Sequence, residues 1–153
     1  MADSLGFEAE IKCSANKYYG YFRNNLPHLA KHFPEIYKSI EVIEGDGPSV
    51  GSVRLWKSEL DGHFITTKER TVSVNDESKS ITWNVLKGSD LMKLHNSFLI
   101  KLVSVTPTRE GYCLAKWSVN FESDHGDVSF PTALINLLHK TTVELPARLS
   151  KQG

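Results

Sequence analysis

Few residues in this 153-residue chain combine a reactive type with a useful spacing, and those that do suit proton transfer better than covalent catalysis. Lys68, Glu69 and Arg70 are consecutive in a segment that alternates like a strand. They cannot all face one way, and any of them that turns inward must be paired or functional, because a lone buried charge is too costly. Tyr18, Tyr19, Tyr21 and Phe22 load one short segment with aromatics. Some must face the interior and others solvent; a buried Tyr hydroxyl can donate to a carbonyl or act as a general acid, and Tyr19 is the candidate. His63 stands at a hairpin and His95 near the start of a long strand. The ordinary reading of each is a surface histidine, with His95 kept as a possible proton carrier. His28 and His32 lie one turn apart, as a metal pair would, but no third ligand is close in sequence and no metal is expected. The catalytic candidates are therefore Tyr19, Lys68, Glu69 and His95. No Ser/His/Asp order, nucleophile elbow or paired-carboxylate signal stands out. Catalysis would mean holding a reactive intermediate in one conformation while a hydroxyl, histidine or carboxylate moves a proton, with no cofactor.

The glycine-rich run from Gly45 to Gly51 invites a phosphate-binding reading. A P-loop needs Gly-Lys-Ser/Thr and a following helix. Here Gly51 leads into Ser52-Val53-Arg54 and a strand, which argues for a hairpin loop whose glycines take positive φ.

These residues need a frame. Leu5, Phe7, Ala9, Ile11 and Cys13 alternate with polar or small residues, as in a half-buried strand. Ser14 or Asn16 can cap a short helix through Asn24, and Pro27 suits the first turn of a second one that reaches His32. Strands are expected over 39–44, 52–60, 63–74, 80–87, 93–106 and 111–122. Their connections include Asp61-Gly62, Asn75-Asp76-Glu77 and a turn over 107–110. A polar linker over 123–127 precedes a helix over 129–150, with Ser129 as N-cap and Pro131 in its first turn. Phe130, Leu134, Leu137, Leu138, Thr141, Leu145 and Leu149 share one face of that helix. Pro146 either bends the helix as a lid over a cavity or frays its last turn. The fold class is α+β: a seven-stranded, strongly curved antiparallel sheet gripping a long C-terminal helix, with two short helices between strands one and two, all in one domain over 1–153.

Lys+Arg and Asp+Glu both number 18, so the net charge is zero. That weighs against nucleic acid or an acidic membrane as partner. The absence of a long apolar run and of an apolar N-terminal segment points to a cytoplasmic protein. Cys13 and Cys113 lack metal spacing and read as two buried thiols.

The order strand, two short helices, six strands, long helix resembles the birch-pollen-allergen superfamily, the helix-grip fold. Glu44-Gly45-Asp46-Gly47 through Gly51-Ser52-Val53, Lys68-Glu69, Phe98 to Thr106, Lys116-Trp117-Ser118-Val119 and Pro131-Thr132-Ala133-Leu134 resemble the major latex protein family more narrowly. The resemblance implies a plant protein, monomer or weak dimer, that binds a small hydrophobic metabolite in a central cavity. The alternative that the resemblance implies is a cofactor-free cyclase or isomerase acting on a terpenoid or alkaloid intermediate in the same cavity. Ribonuclease or RNA binding, also raised for the superfamily, fits poorly with the charge balance.

Alternation turns Cys113, Ala115, Trp117, Val119 and Phe121 inward on strand seven, Ile81, Trp83 and Val85 on strand five, and Phe98, Ile100 and Leu102 on strand six. On strand three, hydrophobicity chooses Val53 and Leu55, whereas likeness to the superfamily puts Arg54, Trp56 and Ser58 on the concave side. The expected ligand-binding residues are Phe22, Arg54, Trp56, Phe64, Trp83, Phe98, Ile100, Trp117, Leu134, Leu138 and Thr141. Thr141 is the one polar residue central to the apolar face of the helix, and its hydroxyl either meets a ligand or bonds the carbonyl one turn back.

Overall fold

Alternating burial along each segment builds the sheet. The computed structural model describes residues 2–60, 62–93, 95–123 and 128–150. Seven strands are present: β1 (Ala2–Ile11), β2 (Tyr37–Glu44), β3 (Val53–Leu60), β4 (His63–Asn75), β5 (Ser80–Val85), β6 (Ser97–Arg109) and β7 (Tyr112–Glu122). They form one antiparallel sheet in the order β1-β7-β6-β5-β4-β3-β2. Register shifts in the β2–β3, β4–β5 and β6–β7 ladders mark bulges. Bulges bend strands, and these curve the sheet around its contents.

The chain crosses from β1 at one edge to β2 at the other through α1 (Ala15–Asn24), a 3-10 turn at Leu26–His28, and α2 (Leu29–His32). Ser14 caps α1, its hydroxyl accepting from the Lys17 N–H at 3.2 Å. The face carrying Tyr18, Tyr21 and Phe22 is buried. The long helix α3 (Ser129–Ser150) packs across β1, β7, β3 and α2. Its buried or half-buried side is Phe130, Leu134, Leu137, Leu138, Thr141, Leu145 and Leu149. Ser129 is its first residue rather than its cap, since the Thr132 N–H already bonds the Val128 carbonyl at 2.9 Å. The helix runs on past Pro146 because its last turn is tied down. The Arg148 guanidinium donates to the His32 carbonyl, Glu35 and Glu144 at 2.8–3.0 Å and lies 4.3 Å from the Phe33 ring centre.

Three of the shifted strand boundaries have local reasons. β5 ends at Val85, not at residue 87, because side chains take over its pairing with β4. The Ser89 hydroxyl accepts from the Lys68 N–H at 2.8 Å, and the Asp90 carboxylate accepts from the Thr66 N–H at 2.7 Å. β6 begins at Ser97 rather than 93, because Asp90–Met92 form a 3-10 turn. β6 also runs through Pro107 to Arg109 instead of turning there. By that point it pairs with β7 alone, beside a bulge, where a missing N–H is tolerated. The expected turn residue Asp61 and the expected linker residues 124–127 lie outside the described residues.

Two apolar clusters fill the space between sheet and helices. One gathers α1, α2 and the centre of the sheet, including Tyr18, Phe22, Phe33, Trp83 and Trp117. The other gathers Leu60, Ile65, Leu91, Phe98, Phe121 and Leu134. Ile100, Leu137 and Leu138 touch both.

Candidate functional site

The two clusters do not close on each other. Between them, under α3, lies a cavity with about 70 Å³ of space open to water-sized molecules. Its walls come from both clusters: Phe22, Leu26, Leu29 and Tyr37 from the helical side, Trp83, Ile100 and Trp117 from the sheet floor, Leu134, Leu137, Leu138 and Thr141 from α3. Trp56, Ser58, Thr67 and Glu69 add a more polar wall on β3 and β4.

Strand register explains that polar wall. Arg54 pairs with Glu69, Trp56 with Thr67 and Ser58 with Ile65 across the β3–β4 ladder. Period two then puts all six on the concave face. Arg54 and Glu69 are 3% and 4% exposed. An Arg54 guanidinium nitrogen stands 3.7 Å from a Glu69 oxygen, beyond hydrogen-bond reach. Arg54 Nε, Trp56 Nε1 and that Glu69 oxygen, Oε1, make no hydrogen bond. Burial pushes the Glu69 carboxyl up to about 7, against the pull of Arg54 and the Trp56 indole. Burial likewise lowers Arg54, against Glu69 and Asp46.

The opposite wall is satisfied. The Trp117 indole donates to the Tyr18 hydroxyl at 2.9 Å, and that hydroxyl meets Thr142 at 2.9 Å. Tyr37 and Thr141 share a hydrogen bond at 3.0 Å. Thr141 thus bonds neither the carbonyl one turn back nor solvent, but a tyrosine 104 residues away in sequence. Burial raises Tyr37 to about 12, and Tyr18 further, so both hydroxyls keep their protons at neutral pH. Tyr21 pairs with His32 Nδ1 at 2.8 Å, away from the cavity wall.

The glycine-rich loop lies beside the polar wall. Gly45 and Gly47 have φ of 78° and 105°. A Cβ on Gly45 would come within 2.5 Å of the Ser52 hydroxyl, and one on Gly47 within 3.6 Å of the Arg54 guanidinium. Asp46 accepts from the Ser49 N–H and hydroxyl at 2.9 and 2.7 Å. A strand, not a helix, follows the loop.

Of the residues expected to bind ligand, Phe22, Trp56, Trp83, Ile100, Trp117, Leu134, Leu138 and Thr141 line the cavity. Arg54 sits behind the wall, against Glu69. Phe98 is fully buried one layer away, stacked on Phe121 at 6.2 Å between ring centres. Phe64 is a correction: it is 76% exposed, because β4 turns Ile65, Thr67 and Glu69 inward and hence its even-numbered neighbours outward.

Among the catalytic candidates only Glu69 reaches the cavity. Lys68 is exposed, on the convex side of the same strand. Tyr19 donates to Asp76 in the β4–β5 turn at 2.6 Å and is not on the wall. His95 is not on the surface as a lone histidine would be; it is buried edge-on against Phe98 and Phe121 of the second cluster. Leu26, Leu29, Tyr37 and Leu91 were not expected on the wall. The short 3-10 turns, the four-residue α2 and the first residues of β2 that place them show no clear periodicity in sequence.

Cys13 and Cys113 are free buried thiols, both with raised pKa from burial. Among the described residues, no group of three His, Cys, Asp or Glu side chains gathers as a metal site, and no helix is long and apolar enough to cross a membrane.

Comparison with known proteins places this geometry among relatives. The pathogenesis-related protein Bet v 1 family matches residues 1–152. Major latex protein 146 of Papaver somniferum is 32% identical over 97% of this chain and 92% of its own length. MLP-like protein 43 of Arabidopsis thaliana is 33% identical over 97% and 94%. The crystal structure of ginseng major latex-like protein 151 from Panax ginseng superposes with a TM-score of 0.84 at 25% identity, covering 93% of each chain. A norcoclaurine synthase from Thalictrum flavum, in complex with a transition-state analogue, shares the fold at a TM-score of 0.77 and 19% identity, over 100% of this chain and 98% of its own.

Proposed function

The chain belongs to the pathogenesis-related Bet v 1 family, alongside major latex proteins, and from that premise we propose that it binds a small hydrophobic plant metabolite, of terpenoid or alkaloid type, in its central cavity as a carrier or biosynthetic helper. One observation supports this above others: the interior between sheet and α3 is not packed solid, and aromatic and aliphatic side chains line the gap. Sites of this kind are mostly apolar with a few placed polar groups. The open space would hold on the order of five waters, so a terpenoid-sized guest has to push side chains such as Leu137 and Leu138 aside. Burying about 200 Å² of apolar guest gains roughly 5 kcal/mol gross. Association entropy and side-chain displacement reduce that, so affinities near micromolar are expected.

A second reading has its own observation. A carboxyl held near neutral pKa inside an apolar cavity suits general acid–base chemistry. That favours cofactor-free isomerisation or cyclisation of a reactive intermediate, with Glu69 as the proton carrier. The fold also houses a protein named as a synthase, though the likeness there is one of fold alone. Incubating the protein with a plant terpenoid and alkaloid extract separates the readings. Compounds retained unchanged, by native mass spectrometry, support carriage. A new isomer or cyclic product formed at substoichiometric protein supports catalysis. Neither retention nor product would sink both.

A further inference from the structure

The polar wall of the cavity is built at a cost that its own neighbours offset only in part. Arg54 and Glu69 are almost wholly buried, yet they meet at 3.7 Å, where a charge-assisted hydrogen bond would close to about 2.8 Å. Breaking geometry of this kind usually makes a buried pair a net loss. The indole N–H of Trp56 is buried and makes no hydrogen bond, although it lies near enough to Glu69 to favour the ionised carboxylate. Glu69 and Trp56 both face the cavity, flanked by the hydroxyl-bearing Ser58 and Thr67. The remaining walls are apolar or internally paired: Trp117 with Tyr18, Tyr37 with Thr141.

The unfilled valences define a shape of guest. Glu69 offers an acceptor and Trp56 a donor, side by side, at one end of an otherwise oily chamber. A single oxygen that both donates and accepts completes the two at once. A ketone or ether oxygen only accepts and leaves the carboxylate unserved; a hydrocarbon serves neither. Resting on the reading of the cavity as a ligand site, we infer that it selects guests with one hydroxyl or enol group at the end of a compact apolar body, that oxygen donating to Glu69 and accepting from Trp56. Arg54 is a positioning residue here: it holds the carboxylate from behind the wall without touching the guest. The glycine-rich loop lies beside it, with Gly47 next to the guanidinium. The charged groups bearing on Glu69 are few. Arg54 on β3 acts directly, Asp46 of the loop and Arg23 of α1 act through Arg54, and the wall that α3 contributes carries no charge.

Two probes of nearly the same shape test this: p-xylene and p-cresol, which differ by a methyl in place of a hydroxyl. Titration calorimetry on the full chain measures both, at pH 6 and pH 8, with wild type and Glu69→Gln. Wild type is expected to bind p-cresol about tenfold tighter than p-xylene at pH 8, with a smaller preference at pH 6, because a hydrogen bond to an ionised acceptor is the stronger one. Glu69→Gln should lose most of the preference, the ratio of p-cresol to p-xylene affinity falling toward one. If wild type binds both probes equally, or if Glu69→Gln keeps the full preference, the inference is overturned while the cavity remains a ligand site. If wild type binds neither, the ligand-site reading fails and takes the inference with it. Should Glu69→Gln not fold, the wild-type profile decides alone: a preference that stays flat between pH 6 and pH 8 overturns the inference.

Discussion

Two tryptophans on the same cavity live in opposite circumstances. The Trp117 N–H donates to Tyr18, which in turn meets Thr142, so floor, α1 and α3 are joined by a closed chain of hydrogen bonds. The Trp56 N–H has no partner, and its neighbours Glu69 and Arg54 hold each other only loosely. The first arrangement has the economy of a structural core, where buried polar groups are paired. The second leaves polar groups dry and open, which natural cores rarely allow without a use. The contrast separates the part of the cavity that holds the fold together from the part free to meet a guest.

That contrast can be broken most sharply at the indoles themselves. Trp117→Ala should cost about 4 kcal/mol of unfolding free energy, through lost contacts and the void left behind. Trp56→Ala should cost less than half as much, since Trp56 is only half-buried and already borders open space. Equal losses in denaturant titrations would erase the distinction. Next in size is a pH effect. Folded Glu69 holds its proton up to about pH 7, whereas an unfolded carboxyl releases it near 4.5. Between those values the folded state binds more protons, so stability falls as pH rises, by on the order of 3 kcal/mol across the window. Glu69→Gln should flatten that fall; an unchanged slope would show that the carboxyl is not strained by its burial. Tyr18→Phe should then cost about 2 kcal/mol, because it strands the Trp117 N–H and the Thr142 hydroxyl together. Tyr37→Phe should cost about 1 kcal/mol, since the Thr141 hydroxyl can fall back on a helix carbonyl. A reversed order would mean that the closed chain is not the stiffer one. Phe64→Ser stands outside both regions and should shift stability by less than about 0.5 kcal/mol and leave probe affinity unchanged.

Sequence periodicity made the frame readable because one face of nearly every element is oily and the other is not. The bounds of α3 follow from its stripe and its flanking polar residues, and the strands from their alternation. Phe64 misleads for the opposite reason: its size suggests an interior role, while its parity with Lys68 and against Glu69 places it outside. On β3, hydrophobicity favours Val53 and Leu55, yet Arg54 and Ser58 are buried and Trp56 lines the cavity; family likeness pointed to that face. Val53 is also buried, so both faces are covered near the glycine-rich loop and the pattern loses its contrast. The pairings Tyr18–Thr142 and Tyr37–Thr141 join residues more than a hundred positions apart. No local pattern encodes them, because they arise only when α3 settles over the sheet.

The indoles give this interior a voice of its own. Trp83 and Trp117 lie 6.0 Å apart and 14° from parallel, close enough for their excited states to couple and give a distinctive near-ultraviolet dichroism. Trp56, alone among the three in having both a place on the polar wall and an idle N–H, should shift its emission to the red once that N–H finds an acceptor. Occupancy of the chamber can therefore be followed by light, without a label, and the colour of the change tells which wall the visitor has touched.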